Sequence, residues 1–561
     1  MITLENGILT VKTATQTAIF SNGALISLKD SEGRSYIENS PEAEALYLVF
    51  RYGEKIGLKN TGFGKVSSRI ISDNKAEFFF DAWDGNGVIE ITADNETGDI
   101  LIEPEVTSAR HGVLAARFGV GGIDKRLSLV APFYQGINMR LDDELLSSRK
   151  WHWPMMWEAG LVILNDNSDG CGFWIWTEDN RYRAKSVLTG QGESKAELAF
   201  DAEAYGPIDR NLSAGGLCWR INVYKGGWKT PAARYRDWLW KAYNLKKEEE
   251  KRFPWTKDIK LGVSWCPSNA EFIDELAKKV EPKKILLHLP HWRVHKYDQN
   301  YPDYTPSEDF KQFIEYAVSK GFRCMPHANS VDMDPSMPEY RYLQDYKYRE
   351  IERGTFMGWG YHNGRVLGVP SSNFALDTNR DKNVMIKVHP GLALWRSILA
   401  RRIDEALEQL NYITDTVFID VTLCSYNLEN CLVDNTTSME GMKRLIAAVE
   451  SIRGGLAVGG EGLNEITMQN LTFAQAHLFD SHQATRKGLE RCGGNDLNDF
   501  MFGRLVSTIG YSGLGGGSED SALRMRIHEE HGAIPTITCS DPEQIKNPNP
   551  ELKRIFELAN S

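Results

Sequence analysis

The sequence predicts a multidomain β plus α/β chain: an N-terminal antiparallel β-sandwich followed by a (β/α)8, TIM-like barrel. Two observations carry this. Residues 1 to 228 are rich in short runs of period-two alternation, with no long helical pattern between them. From about 258 onward, strand-like and helical runs alternate, giving around eight β/α units in roughly 290 residues. A chain of 561 residues also exceeds what one hydrophobic core accommodates.

In the first part, strand-like runs include Ile8–Thr13, Ala18–Phe20, Ala45–Phe50, Ala76–Phe80, Gly87–Thr92 and Ile100–Val106. Asn22-Gly23, Asp73-Asn74 and Asp84-Gly85 separate them as turns. Lys150–Trp157 is an aromatic cluster too polar for a plain strand. It reads as a loop reaching towards a neighbouring site or as a plug between domains. Residues 229–257 read as a helical linker: Pro231–Leu245 places Tyr235, Trp238, Leu239 and Tyr243 on one side, and the charged run Lys246–Arg252 follows.

In the barrel, residues 258–540, the expected strands are Ile259–Trp265, Lys284–Leu289, Phe322–His327, Asp415–Val421 and Leu456–Glu461. Weaker ones lie at Ala476–Phe479, Leu505–Tyr511 and Ala533–Ile537. The expected helices are Ala270–Val280, Glu308–Ser319, Leu392–Leu410, Ser438–Arg453 and Leu497–Ser507, the last overlapping a strand. Residues 335 to 390 form a long insert after the third strand, and 541–561 a C-terminal tail or helix.

A net charge of -11 disfavours a nucleic-acid surface, and no apolar run has the length of a membrane span. Eight cysteines without CxxC spacing suggest neither a zinc site nor a disulfide framework. With no signal-peptide h-region at the N-terminus, a cytoplasmic location is expected, although a trimmed secreted chain would read the same.

Barrel enzymes place their chemistry at the C-terminal strand ends. There the chain offers Trp265, then Trp292, Tyr297 and Asp298, then His327 and Asn329, then Asp420, Glu461 and finally Asp480 and His482. Asp420 closes the apolar run Thr416-Val-Phe-Ile, and Glu461 closes Leu456-Ala-Val-Gly-Gly, with one helical stretch between. Strand, helix, strand puts both carboxyls on one face of a parallel sheet, as glycoside hydrolysis requires. One of the two is expected to have a raised pKa and act as the acid. Gly459-Gly460 would let the backbone approach a ligand closely, and Glu465, after Asn464, is the alternative acid/base.

Trp265 and Trp292 are candidate stacking platforms for sugar rings, and His327 and Asn329 candidate donors to sugar hydroxyls. Tyr297, Asp298, Asp377 and His482 complete the candidate substrate-binding set. His291, His295 and His327 with Asp298 and Asp332 lack His-x-His or HExxH spacing, so no metal and no cofactor is expected. The expected partner is an oligosaccharide or glycoside.

With Phe418-Ile-Asp420 and Gly460-Glu461 as its motifs, the plan of β-sandwich, connecting helix and barrel resembles the retaining α-glycosidases. These include the α-galactosidase clan and the endo-α-N-acetylgalactosaminidase family with its relatives. The resemblance implies a retaining α-glycosidase with Asp420 as nucleophile and Glu461 as general acid/base. The added carbohydrate-binding modules of the large secreted members do not appear, which favours a smaller substrate. A non-catalytic carbohydrate-binding protein and a metal-assisted sugar isomerase or lyase on the same barrel remain the alternatives.

Overall fold

The computed structural model describes residues 1–38, 44–61, 64–191, 195–351, 354, 358–362, 365–366, 384–476, 494–510, 514–517 and 521–561. The chain divides into two compact units, Met1–Tyr243 with Arg491–Leu497, and Asn244–Glu490 with Asn498–Ser561.

The first unit is built from an 11-stranded and a 10-stranded sheet, with antiparallel pairing throughout. The three predicted turns all join hairpin strands; Asn22 and Gly23 both have positive φ, as a tight hairpin turn demands. The two sheets meet through apolar side chains, Phe200 of one lying 5.0 Å from Trp219 of the other. The Lys150–Trp157 cluster, expected as a loop, contributes a strand and buried aromatic side chains to this core. Arg149–His152 pairs with Lys185–Gln191, Trp151 stacks on Phe133 at 4.0 Å, and Trp157 lies 6.3 Å from Trp219. The polar residues of the cluster disguise a short strand, and its tryptophan, Trp151, is buried along with Trp153 and Trp157 beyond it. Helix Lys229–Ala242, from the expected linker, falls in the first unit, and the charged run is itself helical over Leu245–Glu250.

The second unit holds the barrel. Its strands are β1 (Leu261–Val263), β2 (Ile285–Leu289), β3 (Arg323–Asn329), β4 (Thr416–Asp420), β5 (Ala457–Glu461), β6 (Phe473–Ala476), β7 (Ser507–Gly510) and β8 (Thr536–Ile537). They pair in sequence order in one eight-stranded parallel sheet, with β8 beside β1. An isolated parallel bridge, Ile509–Ile534, draws β7 and the approach to β8 together, so the barrel is nearly closed. Helices α1 (Ala270–Ala277), α2 (Glu308–Ser319), α3 (Ala393–Gln409) and α4 (Ser438–Glu450) follow β1, β2, the insert and β4. In α4 the residues Met439, Met442, Leu445, Ile446 and Val449 are all buried, as their spacing predicts, and Thr437 caps its first turn. The conflict at the sixth unit resolves into α5 (Leu497–Phe502) followed by β7. Helix α6 (Ser521–Glu530) precedes β8, and the C-terminal helix α7 (Pro550–Asn560) buries Leu552, Ile555, Phe556 and Ala559. Within and beside the insert, Asp332–Met333, Gly358–His362, Arg365–Val366 and Val384–Lys387 form a small four-stranded sheet.

The barrel interior is layered. Leu286, Met325, Phe418, Ala457 and Phe473 share one apolar cluster. Two residues further along β2 to β6 come His288, His327, Asp420, Gly459 and Gln475, with Glu461 closing β5, and this polar layer is where chemistry becomes available. Gly459 serves packing: a Cβ there would lie 2.6 Å from Met325 Sδ and 3.0 Å from the Phe418 ring. Gly460 is similarly confined, by Thr422 and Leu471, so neither glycine is explained by ligand approach.

Candidate active site

Asp420 and Glu461 end neighbouring parallel strands. The register pairs Ile419 with Gly460 and Asn329 with Asp420, so Asn329, Asp420 and Glu461 fall in one row at the strand ends. Asp420 is 8% and Glu461 6% exposed, and their carboxyls hydrogen-bond to each other. Burial, then repulsion from Glu461, raises Asp420 well above the ordinary carboxylate range. Burial pushes Glu461 up to about 7, against the hydrogen bonds from Asp420 and the Val421 amide. Both pKa values are therefore displaced upward, rather than one.

Donors converge on this pair. The Tyr297 hydroxyl donates to Asp420 Oδ2 at 3.0 Å, and Val421 N–H donates to Glu461 Oε2 at 2.9 Å. Val421 adopts φ +64°, a conformation that costs a β-branched residue on the order of 1–3 kcal/mol. That strain sits directly after Asp420 and turns the amide onto Glu461. On the other side of the β4 end, Ser330 N–H and its hydroxyl both donate to the Asp420 carbonyl, at 3.0 and 2.7 Å.

The other predicted residues separate into two groups. Trp265, just past β1, is 37% exposed, and its ring centre lies 4.8 Å from that of Tyr297, leaving an aromatic surface beside the carboxyl pair. His327 lies in the site, with Nε2 3.6 Å from Asp420 Oδ2. Asp298 follows Tyr297 in a left-handed turn. Trp292, by contrast, is 2% exposed; its indole N–H donates to the His327 carbonyl at 2.7 Å and its ring stacks on Tyr304. It supports the β2 loop and offers no face to a sugar. Asn329 is also committed internally: Oδ1 accepts from Val331 and Asp332 N–H, and Nδ2 donates to Asp332 Oδ2. It is a turn-forming residue rather than a hydroxyl donor.

The carboxyl that hydrogen-bonds Asp420 is that of Glu461; Glu465 is buried four residues further on. Asn464, before it, uses Oδ1 to cap the turn at Thr467–Gln469. Asp377 and His482 lie outside the described residues, as does Asp480.

Two features escaped the sequence reading. His288, in the apolar run Ile285-Leu-Leu-His-Leu, sits inside the barrel against His327. Lys387, from the insert, makes a fully buried ion pair with Asp332 at 2.8 Å. Each is a polar residue in an otherwise apolar strand, which is the signal that could have found it. Among the described residues, no group of three or more His, Cys, Asp or Glu side chains is arranged to hold a metal ion.

The fold and site define a class: β-sheet unit, (β/α)8 barrel, and a touching carboxyl pair at the ends of β4 and β5. Comparison with known proteins agrees on the fold. The α-N-acetylgalactosaminidase NagBb from Bifidobacterium bifidum, in complex with Gal-NHAc-DNJ, superposes with a TM-score of 0.67 at 12% identity, covering 100% of this chain and 92% of that one. Its ligand-free form gives 0.66 at 12% identity, covering 100% and 93%. By sequence, a family model described as "Domain of unknown function (DUF6259)" matches residues 218–441, a stretch containing Asp420 but not Glu461. A Bacteroides thetaiotaomicron protein described as "Putative glycoside hydrolase" is 26% identical over 219 residues, 37% of this chain and 29% of that protein's length. The similarity in sequence thus spans under a third of that relative.

Proposed function

We propose that the protein is a retaining glycoside hydrolase acting on α-linked sugars, with Asp420 as nucleophile and Glu461 as general acid/base. The observation that carries this reading is the buried, hydrogen-bonded Asp420–Glu461 pair. Inverting chemistry needs carboxyls about 6.5–9.5 Å apart to hold a water between them, whereas retaining chemistry uses about 5–5.5 Å. The Asp420 and Glu461 carboxyls, in hydrogen-bonding contact, leave no room for such a water, which argues against inversion. They also lie closer than the retaining spacing, so retention is supported by the resemblance to retaining α-glycosidases. In this scheme Asp420 attacks the anomeric carbon while Glu461 gives its proton to the departing glycosidic oxygen. Glu461 then takes a proton from water, whose oxygen displaces Asp420 from the same carbon. A Glu461 pKa near 7 suits a group that must give and regain a proton. Tyr297, donating to Asp420, steadies the carboxylate.

The resemblance in fold to an α-N-acetylgalactosaminidase makes α-N-acetylgalactosaminides and α-galactosides the first substrates to try. Aryl α- and β-glycosides would be screened with and without chelator, and the first-formed anomer observed by NMR. Hydrolysis of an α-glycoside giving the α-anomer first is expected. A first-formed β-anomer from an α-glycoside, or turnover abolished by the chelator, would overturn the mechanism.

A further inference from the structure

His327 Nε2 is buried and, among the described residues, has no hydrogen-bond partner; the residue is only 1% exposed. It is aimed at Asp420 Oδ2 from 3.6 Å. Its other nitrogen, Nδ1, lies 3.1 Å from Nε2 of His288, and His288 Nδ1 lies 3.4 Å from the backbone nitrogen of Trp265. A backbone N–H only donates, so His288 Nδ1 is the acceptor. A neutral imidazole carries one proton, which places the His288 proton on Nε2, donating to His327 Nδ1. The proton of His327 is then on Nε2, facing Asp420.

We propose that Trp265 N–H, His288 and His327 form a one-way hydrogen-bond relay that holds His327 Nε2–H as a second donor to Asp420 Oδ2. This rests on the reading of Asp420 as nucleophile and deepens it. Tyr297 already donates to the same oxygen, so two donors would fix Oδ2 and leave Oδ1 to attack. The 3.6 Å gap closes as Asp420 ionises, in the way catalytic hydrogen bonds tighten from the unliganded state. The surroundings keep both rings neutral: burial, then the neighbouring His291, takes His288 down to about 3. Burial, then His288, Arg293 and His291, takes His327 well below its ordinary value. The other titratable groups facing Asp420 are Glu461, Asp332 and Tyr297. The polar layer is stacked on the apolar one, with the His327 ring 5.4 Å from Phe418, so the imidazole cannot swing away without opening the core. His288 is a positioning residue in this account, acting through His327.

Two measurements test it. The first is independent of turnover. Imidazole nitrogen shifts of the full-length, histidine-labelled protein, assigned with His288→Gln and His327→Gln, should show both rings neutral with the proton on Nε2. A proton on Nδ1 of either ring overturns the relay, whatever the enzyme does. The second is the acidic limb of the kcat/KM pH profile. His288→Leu removes the donor to His327 and should move that limb up by about one pH unit, because the nucleophile ionises less readily. His288→Gln, whose amide can accept from Trp265 N–H and donate to His327, should restore the limb. An unmoved limb in a folded His288→Leu protein overturns the proposal. Absence of turnover in the wild type would count against the glycosidase reading and leave the nitrogen shifts to decide the relay.

Discussion

Replacing Glu461 by Gln should make the barrel unit more stable at alkaline pH while removing its acid/base. A carboxyl whose folded pKa lies above its unfolded value keeps its proton longer in the folded state. Its favourable contribution is complete below about pH 4.5 and is lost as pH rises through about 7, the values between which burial displaces Glu461. At about 1.4 kcal/mol per pH unit, the ionised wild type is disadvantaged by roughly 3 kcal/mol above that window. Gln cannot ionise, keeps an oxygen for the Val421 N–H, and removes the repulsion on Asp420. For a unit of roughly 300 residues, unfolding with about 2.1 cal/mol/K of entropy per residue, the gain is a Tm increase of about 5 °C. Calorimetry at pH 8 and pH 4.5 reads this directly. The variant should melt higher at pH 8 and coincide with wild type at pH 4.5. A difference of equal size at both values, or none at pH 8, would refute the linkage between burial of Glu461 and stability.

Other expectations follow from the same geometry. Asp420→Ala and Glu461→Ala should each abolish turnover of unactivated glycosides while circular dichroism stays that of the wild type; full activity in either removes the assignment. Lys387→Met leaves Asp332 buried without its ion-pair partner and should destabilise by about 3–5 kcal/mol in urea titration. The Asp332→Asn, Lys387→Met double variant should recover part of that loss, and no recovery would contradict pairing as the cause. Gly459→Ala drives a methyl into Met325 and Phe418 and should cost about 1–3 kcal/mol, measurable as a lower urea midpoint.

The barrel was legible because its strands and helices obey their own periods. Helix Glu308–Ser319 matches the bounds its pattern predicts, and each β strand seen falls within or beside a predicted apolar run. Some strands, such as β1 and β4, were read one or two residues too long, because apolar character continues into turns such as that at Val421. By contrast, β3 runs on to Asn329, past the expected His327, and β6 starts at Phe473, ahead of the expected Ala476. Side-chain roles were harder to see. Trp292 and Asn329 lie at strand ends where sugar-binding residues belong, yet both are consumed by internal hydrogen bonds that spacing cannot reveal. The run Lys246–Arg252 reads from sequence only as part of a helical linker, whereas Arg252 enters a buried ion pair with Glu450, two residues brought together only by the fold. His288 illustrates the reverse case. A lone polar residue in a buried strand is a strong hint, but its partner, His327, is supplied by the neighbouring strand.

The most direct test of the account is to trap the nucleophile. Wild-type protein incubated with a 5-fluoro α-glycosyl fluoride of the sugar it cleaves best should accumulate a glycosyl ester, seen as a mass increase of one sugar residue. Peptide mapping should place the label on Asp420. Label on Glu461 or Glu465, or steady turnover of the parent glycoside with no covalent species, would contradict it.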